Sequence, residues 1–243
     1  CVSPLTVTGL ADGSHTLSVK AADGARNSGV PSSKTWVVDT TAPTVIFSST
    51  PPADSNSTGA SFAFSASEDA THVCRLDSGS TVTCSSPFPV TGLGDGSHSF
   101  RVEATDAAGN TGSRTFSWNV DTQAPTVSID SAPNALSNDP APDFAFSSSD
   151  GATSFECRVD GGAWTACTSP LTLSGLGDGP HSFEVRPIDA AGNVGAAESV
   201  SWTRDTTAPT VAIGNGPADP TNETDATFTF SADDPAATFG CAL

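Results

Sequence analysis

Basic residues are scarce in this chain. Nine Lys and Arg stand against 27 Asp and Glu, a formal net charge of −18 over 243 residues. That balance argues against nucleic acid and anionic membrane surfaces as partners, because both carry negative charge; it leaves cations open. Long apolar runs are also missing, so no transmembrane helix is available and no membrane insertion is expected. No charged-then-apolar segment stands at the start, and any secretion signal is expected to lie outside this sequence. Apolar residues do not recur at helical spacing. Neither a G-x-S-x-G elbow nor a glycine-rich phosphate loop is found. What is plentiful is turn chemistry, with 22 Gly and 18 Pro. The length allows one large domain or two to four small ones.

Internal repeats decide between these. The string DTTAPTV begins at Asp39, DTQAPTV at Asp121 and DTTAPTV again at Asp205, steps of 82 and 84 residues. GLADGSH ends at His15, GLGDGSH at His98 and GLGDGPH at His181, two steps of 83. Cys74 and Cys84 return as Cys157 and Cys167, and Trp36 as Trp118 and Trp202. Cys1 falls in phase with Cys84 and Cys167, and Cys241 with Cys74 and Cys157. The reading is two whole repeats, 39–120 and 121–204. They are flanked by a C-terminal half-repeat (1–38) and an N-terminal half-repeat (205–243). The chain is expected to be a window on a longer array.

Alternating apolar residues mark strands within each repeat. Phe62, Phe64 and Ala66 share one face, as do Phe144 and Phe146, then Phe228 and Phe230. His98, Phe100, Val102 and Ala104 alternate, and so do His181, Phe183 and Val185. Phe116, Trp118 and Val120 close the unit. About seven short strands in roughly 83 residues fit an all-β, immunoglobulin-like sandwich. So small a core gains from a covalent staple.

The pattern F-x-C-R-V-D-G-G-x-W-x-x-C-x-S-P at 155–170 is followed by G-L-G-D-G-x-H-S-F-x-V at 175–185. D-A-A-G-N at 189–193 and W-x-x-D-T-T-A-P at 202–209 complete the unit. This resembles the tandem immunoglobulin-like repeats of bacterial cell-surface and secreted proteins, and the resemblance spans the chain. It implies an extracellular stalk of the kind adhesins carry, with neighbouring repeats of the same protein as the immediate partners. It names no receptor or glycan.

Cys74 with Cys84 and Cys157 with Cys167 are expected to form disulfides. A hairpin centred on Gly162 would set residue 157 directly opposite 167, within disulfide reach. Buried free thiols are the plainer alternative. Disulfides imply an oxidising, extracytoplasmic space. Cys1 and Cys241 lack a partner in their own half-repeat. They are orphans of an excised window, the closure of a ring, or the link between chains that complete one another into a filament.

Calcium at the repeat joints is the strongest chemical expectation. Asp39 in the linker should approach Glu68, Asp69, Asp106 and Asn110 of the repeat that follows. Asp121 should likewise approach Asp150, Asp189 and Asn193. Ca²⁺ takes six to eight oxygens, and gathered carboxylates need a cation to offset their repulsion. The resemblance also implies calcium-stiffened joints. The competing reading is that Asp106-Ala-Ala-Gly109-Asn110 is turn chemistry alone. At the matching loop Arg26 stands where the later repeats have Gly109 and Gly192, which puts that copy in doubt.

His15, His98 and His181 share one repeat position and read as structural corners bonding back to backbone, not as catalytic groups. Trp164 could stack on a sugar, which would make the chain a carbohydrate-binding module, but its counterpart in the other whole repeat is Thr81. The joints are short and carry Pro43, Pro125 and Pro209, so the array should be a semi-rigid, extended rod. The sequence thus points to a non-enzymatic structural or adhesive repeat region outside the cell. A self-assembling filament is the main alternative.

Overall fold

The computed structural model describes residues 1–148 and 151–242. Among these the regular elements are strands, with no helix. The chain divides into two compact units, Cys1–Ala124 with Ala190–Asn193, and Pro125–Asp189 with Val194–Leu243.

In the first unit, β1 (Gly13–Val19) and β2 (Ser32–Val38) form a two-stranded antiparallel sheet that sets His15 opposite Trp36. A whole repeat follows. Its strands are β3 (Val45–Ser49), β4 (Asp54–Ser55), β5 (Ala60–Ala66), β6 (Thr71–Leu76), β7 (Val82–Thr83), β8 (Phe88–Val90), β9 (Gly96–Thr105) and β10 (Thr111–Val120). They make a three-stranded sheet, β3-β5-β8, and a five-stranded sheet, β4-β10-β9-β6-β7. All pairs are antiparallel except β4 with β10. Apolar alternation puts Phe62 and Phe64 from one sheet against Phe100, Val102 and Trp118 from the other. Phe62 and Phe100 stack at 4.2 Å between centroids. Burying a side chain of this size contributes about 1.5–3 kcal/mol, so these few rings dominate so thin a core.

The second unit repeats the plan. β11 (Ser128–Ser131), β13 (Asp143–Ser147) and β16 (Leu171–Thr172) form the smaller sheet. β12 (Leu136–Ser137), β18 (Glu198–Arg204), β17 (Gly179–Ile188), β14 (Ser154–Val159) and β15 (Thr165–Cys167) form the larger one, in that order. Phe144 stacks on Phe183 at 4.4 Å and meets Trp202 at 5.2 Å. β19 (Val211–Asn215) and β20 (Thr229–Ala232) pair alone. Each whole repeat is therefore a β-sandwich of three against five strands, with immunoglobulin-like strand order.

Cys74–Cys84 and Cys157–Cys167 are disulfide-bonded, with Cα atoms 5.8 Å apart in each. The register differs from the expected one. Cys157 lies opposite Thr165, and Cys167 lies opposite Phe155, so the bridge is diagonal. The reason is the turn. Gly162 N–H donates to Val159 O, and Asp160 and Gly161 both take positive φ, 51° and 70°. An Asp-Gly pair adopts this conformation at little cost, so the chain turns at 160–161 and the ladder is centred on Gly161 and not on Gly162. In the first repeat Cys74 likewise faces Val82, two positions short of Cys84.

Candidate functional site

The recurring segment Asp-Thr-x-Ala-Pro is held by side chains that precede it and follow it in sequence. Asp12, in the turn that leads into β1, accepts from Thr40 N–H at 3.1 Å, Thr40 Oγ at 2.8 Å and Thr41 Oγ at 3.1 Å. Asp95 does the same for Thr122, at 3.0 and 2.8 Å, and takes Gln123 Nε2 at 3.4 Å. Asp178 accepts from Thr206 Oγ and from Arg204. Hydrogen bonds from these threonines are the chief cause that holds all three carboxyls below the ordinary aspartate range.

From the other side, Asn110 Nδ2 donates to Asp39 O at 3.1 Å, and Asn193 Nδ2 donates to Asp121 O at 2.8 Å. Asn110 is itself held by Asp106, whose Oδ1 accepts the Gly109 and Asn110 N–H groups and whose Oδ2 accepts Asn110 Nδ2. Gly112 lies so close to the linker that a Cβ there would stand 1.7 Å from Pro43 O; at Gly195 it would stand 2.0 Å from Pro125 O. Only glycine permits that approach at both places.

Three of the expected metal ligands come together. One carboxylate oxygen each from Asp39, Glu68 and Asp106 lies within 4.8 Å of the others. Glu68 is exposed, yet its pKa is raised, by desolvation first and then by the charges of Asp39 and Asp106. Asp106 is 9% exposed, and its pKa is lowered chiefly by the Asn110 side chain. Asp69 is exposed and is not part of this group. Asn110 turns its Nδ2 donor toward the Asp39 carbonyl and Asp106. At the second joint Asp121 is part-exposed and Asp189 is buried, while Asp150 lies outside the described residues. Among the described residues no second carboxylate group of this kind occurs.

Arg26 takes φ 66°, the left-handed conformation of Gly109 and Gly192. Asp23 accepts from Ala25 N–H, Asn27 N–H and Asn27 Nδ2, so the loop keeps its hydrogen bonds with Arg in the glycine position.

The three corner histidines bond back to backbone. Nε2 reaches Ala11 O at 2.7 Å from His15, Gly94 O at 2.8 Å from His98, and Gly177 O at 2.8 Å from His181. His98 and His181 gain a second partner, with Nδ1 2.9 Å from Asp77 and 2.8 Å from Asp160. Carbonyl and carboxylate oxygens only accept, so these contacts favour the imidazolium form, in which both ring nitrogens donate. The backbone carbonyl first, then the carboxylate, raises each pKa.

Trp164 lies over charge. The guanidinium carbons of Arg158 and Arg186 are 4.5 and 4.4 Å from its ring centroid, and they pair with Glu184 and Glu156. The indole thus packs against the guanidinium groups of two ion pairs, a structural use of the ring.

Asp12, Asp95 and Asp178 are not among the residues the sequence singles out, because the Asp of an Asp-Gly pair is already explained by the turn it makes. The signal was present: in every copy that Asp accompanies a Thr just after the linker Asp.

No protein-family model matches the chain, and no curated protein matches it. Similar solved structures are fibronectin(III)-like modules and bacterial adhesin repeats. The fibronectin(III)-like modules of CbhA from Clostridium thermocellum are 16% identical, with TM-score 0.44, over 66% of this chain and 93% of that one. A 1.5-MDa bacterial ice-binding adhesin is 19% identical, with TM-score 0.37, over 80% of this chain and 74% of that one. A Ca²⁺-stabilized adhesin that helps an Antarctic bacterium bind ice is 19% identical, with TM-score 0.34, over 85% of this chain and 60% of that one. The assignment of the fold rests on the sheets and registers described above.

Proposed function

We propose that this chain is a structural repeat region of an extracellular bacterial surface protein or fibre, a stalk that spaces other modules from a surface. The observation that carries the reading is the recurring clamp on each linker. The same Asp grips the same Thr at all three copies, and an Asn grips the linker carbonyl at both copies where a whole repeat follows. A flexible tether has no use for such a clamp, and a repeated catalytic module would carry repeated reactive groups. The disulfides support an oxidising compartment. The acidic charge supports solubility at high local density. The role is non-catalytic.

Small-angle scattering on the whole chain tests this. An extended, stiff particle is expected, and Asp95→Ala with Asn193→Ala should make it visibly more flexible. A compact particle, or one indifferent to both substitutions, would count against the spacer.

Calcium belongs to this reading at the first joint. Asp39, Glu68 and Asp106 would hold the ion, and its charge would offset the desolvation, and then the repulsion by Asp39 and Asp106, that raise the Glu68 pKa. Their carboxylates suit a hard cation; water would complete the coordination. Excess chelator should then lower the melting temperature, and Glu68→Gln should abolish that response. Identical melting with and without chelator would remove calcium and leave the clamp intact.

A further inference from the structure

We infer that the outer face of the larger sheet of the first whole repeat, at Arg75 and Arg101, is a binding site for a carboxylate-bearing sugar of the uronic acid class. The inference is independent of the spacer role.

The site arises from one exchange between the two repeats. In the second, Arg158 on β14 lies directly opposite Glu184 on β17, and hydrogen bonds of 2.9 and 2.7 Å join guanidinium to carboxylate. In the first, Arg75 on β6 lies opposite Arg101 on β9. Residues directly opposite in a ladder project to the same face, with Cα atoms about 4.5–5.5 Å apart, and like charges so placed repel. This face points away from the core, because the alternate residues Cys74, Phe100 and Val102 are buried. In a chain with nine Lys and Arg in all, two arginines facing each other gather positive charge that Glu103 offsets only in part.

Both guanidinium groups have uncommitted donors. Arg75 is exposed, and among the described residues it has no hydrogen-bond, ion-pair or ring partner. Arg101 bonds Glu103 at 2.7 Å and Ser113 at 3.1 Å, and both bonds leave from Nη2. Asp77, two residues beyond Arg75, is engaged by His98 and by the Ser99 N–H. The ring that lies over Arg158 in the second repeat has no counterpart here, since exposed Thr81 stands at the position of Trp164. Two guanidinium forks at this spacing match the two oxygens of one carboxylate.

The rest of the face says what should carry that carboxylate. Thr115 lies opposite Arg101 on its other side, with Ser113 and Ser117 two residues to either side along β10, and all three are exposed. These hydroxyls both donate and accept, as the hydroxyls of a sugar ring do. They offer a fatty acid no apolar wall. The net charge of −18 disfavours a polyanion, whereas its distant part is screened beyond about 8 Å at physiological salt and weighs little on a single charge. One carboxylate set among hydroxyls meets both conditions.

The test titrates the isotope-labelled full chain with methyl glucuronide and reads amide shifts, with methyl glucoside and inorganic sulfate as comparison probes. Saturating shifts are expected around residues 75 and 101, with both comparison probes binding at least about tenfold more weakly. Arg101→Glu sets a carboxylate opposite Arg75 as Glu184 stands opposite Arg158. It should weaken glucuronide binding at least about tenfold while the melting temperature stays equal or rises. Arg158→Gln should leave binding unchanged. The absence of saturable shifts would overturn the inference. So would equal binding of the glucoside, which would mean that the carboxylate is not read. Equal binding of sulfate would overturn the sugar as ligand, and undiminished binding by the Arg101→Glu variant would overturn the site.

Discussion

The two whole repeats share one strand plan, yet they fill three equivalent positions differently. Where the second repeat packs Phe155 against Phe146 at 5.1 Å, the first packs His72 against Phe64 at 5.4 Å and leaves His72 Nε2 buried without a hydrogen-bond partner. Where the second lays Trp164 over Arg158 and Arg186, the first has Thr81, and Arg101 turns to Glu103 instead. Where the second turns on Asp160-Gly161, the first turns on Asp77-Ser78, with Asp77 at φ 50°. The disulfide, the corner histidine and the linker clamp are the same in both. What differs is side-chain filling; what is kept is the set of polar and covalent fasteners that fix register.

The largest test of this comparison is to remove the staple from each repeat separately. Cys74→Ser with Cys84→Ser, or Cys157→Ser with Cys167→Ser, should cost about 2–3 kcal/mol in the affected repeat, read by chemical denaturation. Equal losses would mean the staple acts independently of filling. A larger loss in the first repeat would mean Trp164 and its ion pairs brace the second.

Next in size is the mismatch itself. His72→Phe should stabilise the first repeat by about 1 kcal/mol, because it removes an unsatisfied nitrogen and restores the ring its counterpart uses. Melting of the variant beside its parent checks it, and a lower melting temperature would mean the pocket cannot accept the larger ring.

The corner histidines give a pH dependence that should be alike in the two repeats. Their folded pKa values are raised, so their contribution is complete below the unfolded value near 6.5 and is lost as pH rises through the folded value. Asp77 and Asp160 are lowered, so their contribution is present above the unfolded carboxylate value and is lost as pH falls through the folded one. Stability should therefore peak between the two limits. His98→Asn with His181→Asn should flatten the alkaline side, as read by melting temperature against pH.

The smallest effect is expected at the first copy of the D-A-A-G-N loop. Arg26→Gly should stabilise it by a few tenths of a kcal/mol, since relief of the left-handed backbone is partly offset by the entropy of glycine in the unfolded chain. Amide exchange at Asn27 would register it.

The strand plan was legible because side-chain period reports burial directly. Phe62, Phe64, Phe100 and Val102 alternate in sequence and are buried in fact. The bridge partners were legible from their ten-residue spacing, but their diagonal setting was not. Register depends on which two residues make the turn, and Asp160-Gly161-Gly162 offers two choices. The Asp39–Glu68–Asp106 group was legible because loops at one end of a sandwich converge. The Asp77 and Asp160 partners of the corner histidines were not. Each acts across two strands from a hairpin tip, and nothing in one-dimensional spacing shows where that tip folds back. The linker clamp was visible only as a co-occurrence, since an Asp-Gly pair already has a sufficient local explanation.

One detail of the sheets bears on how a repeat answers to pulling. The first strand of each larger sheet, β4 or β12, runs parallel to the last, β10 or β18. Tension applied through the two ends of a repeat drags these strands past each other along their length. Asn119 N–H to Ala53 O and Asp121 N–H to Ser55 O are then strained together, as are Thr203 N–H to Ala135 O and Asp205 N–H to Ser137 O in the second repeat. Bonds strained in unison yield at higher force than bonds opened one after another. A repeat that does give way still keeps the segment between its bridged cysteines from paying out, so it lengthens by less than the whole chain it holds.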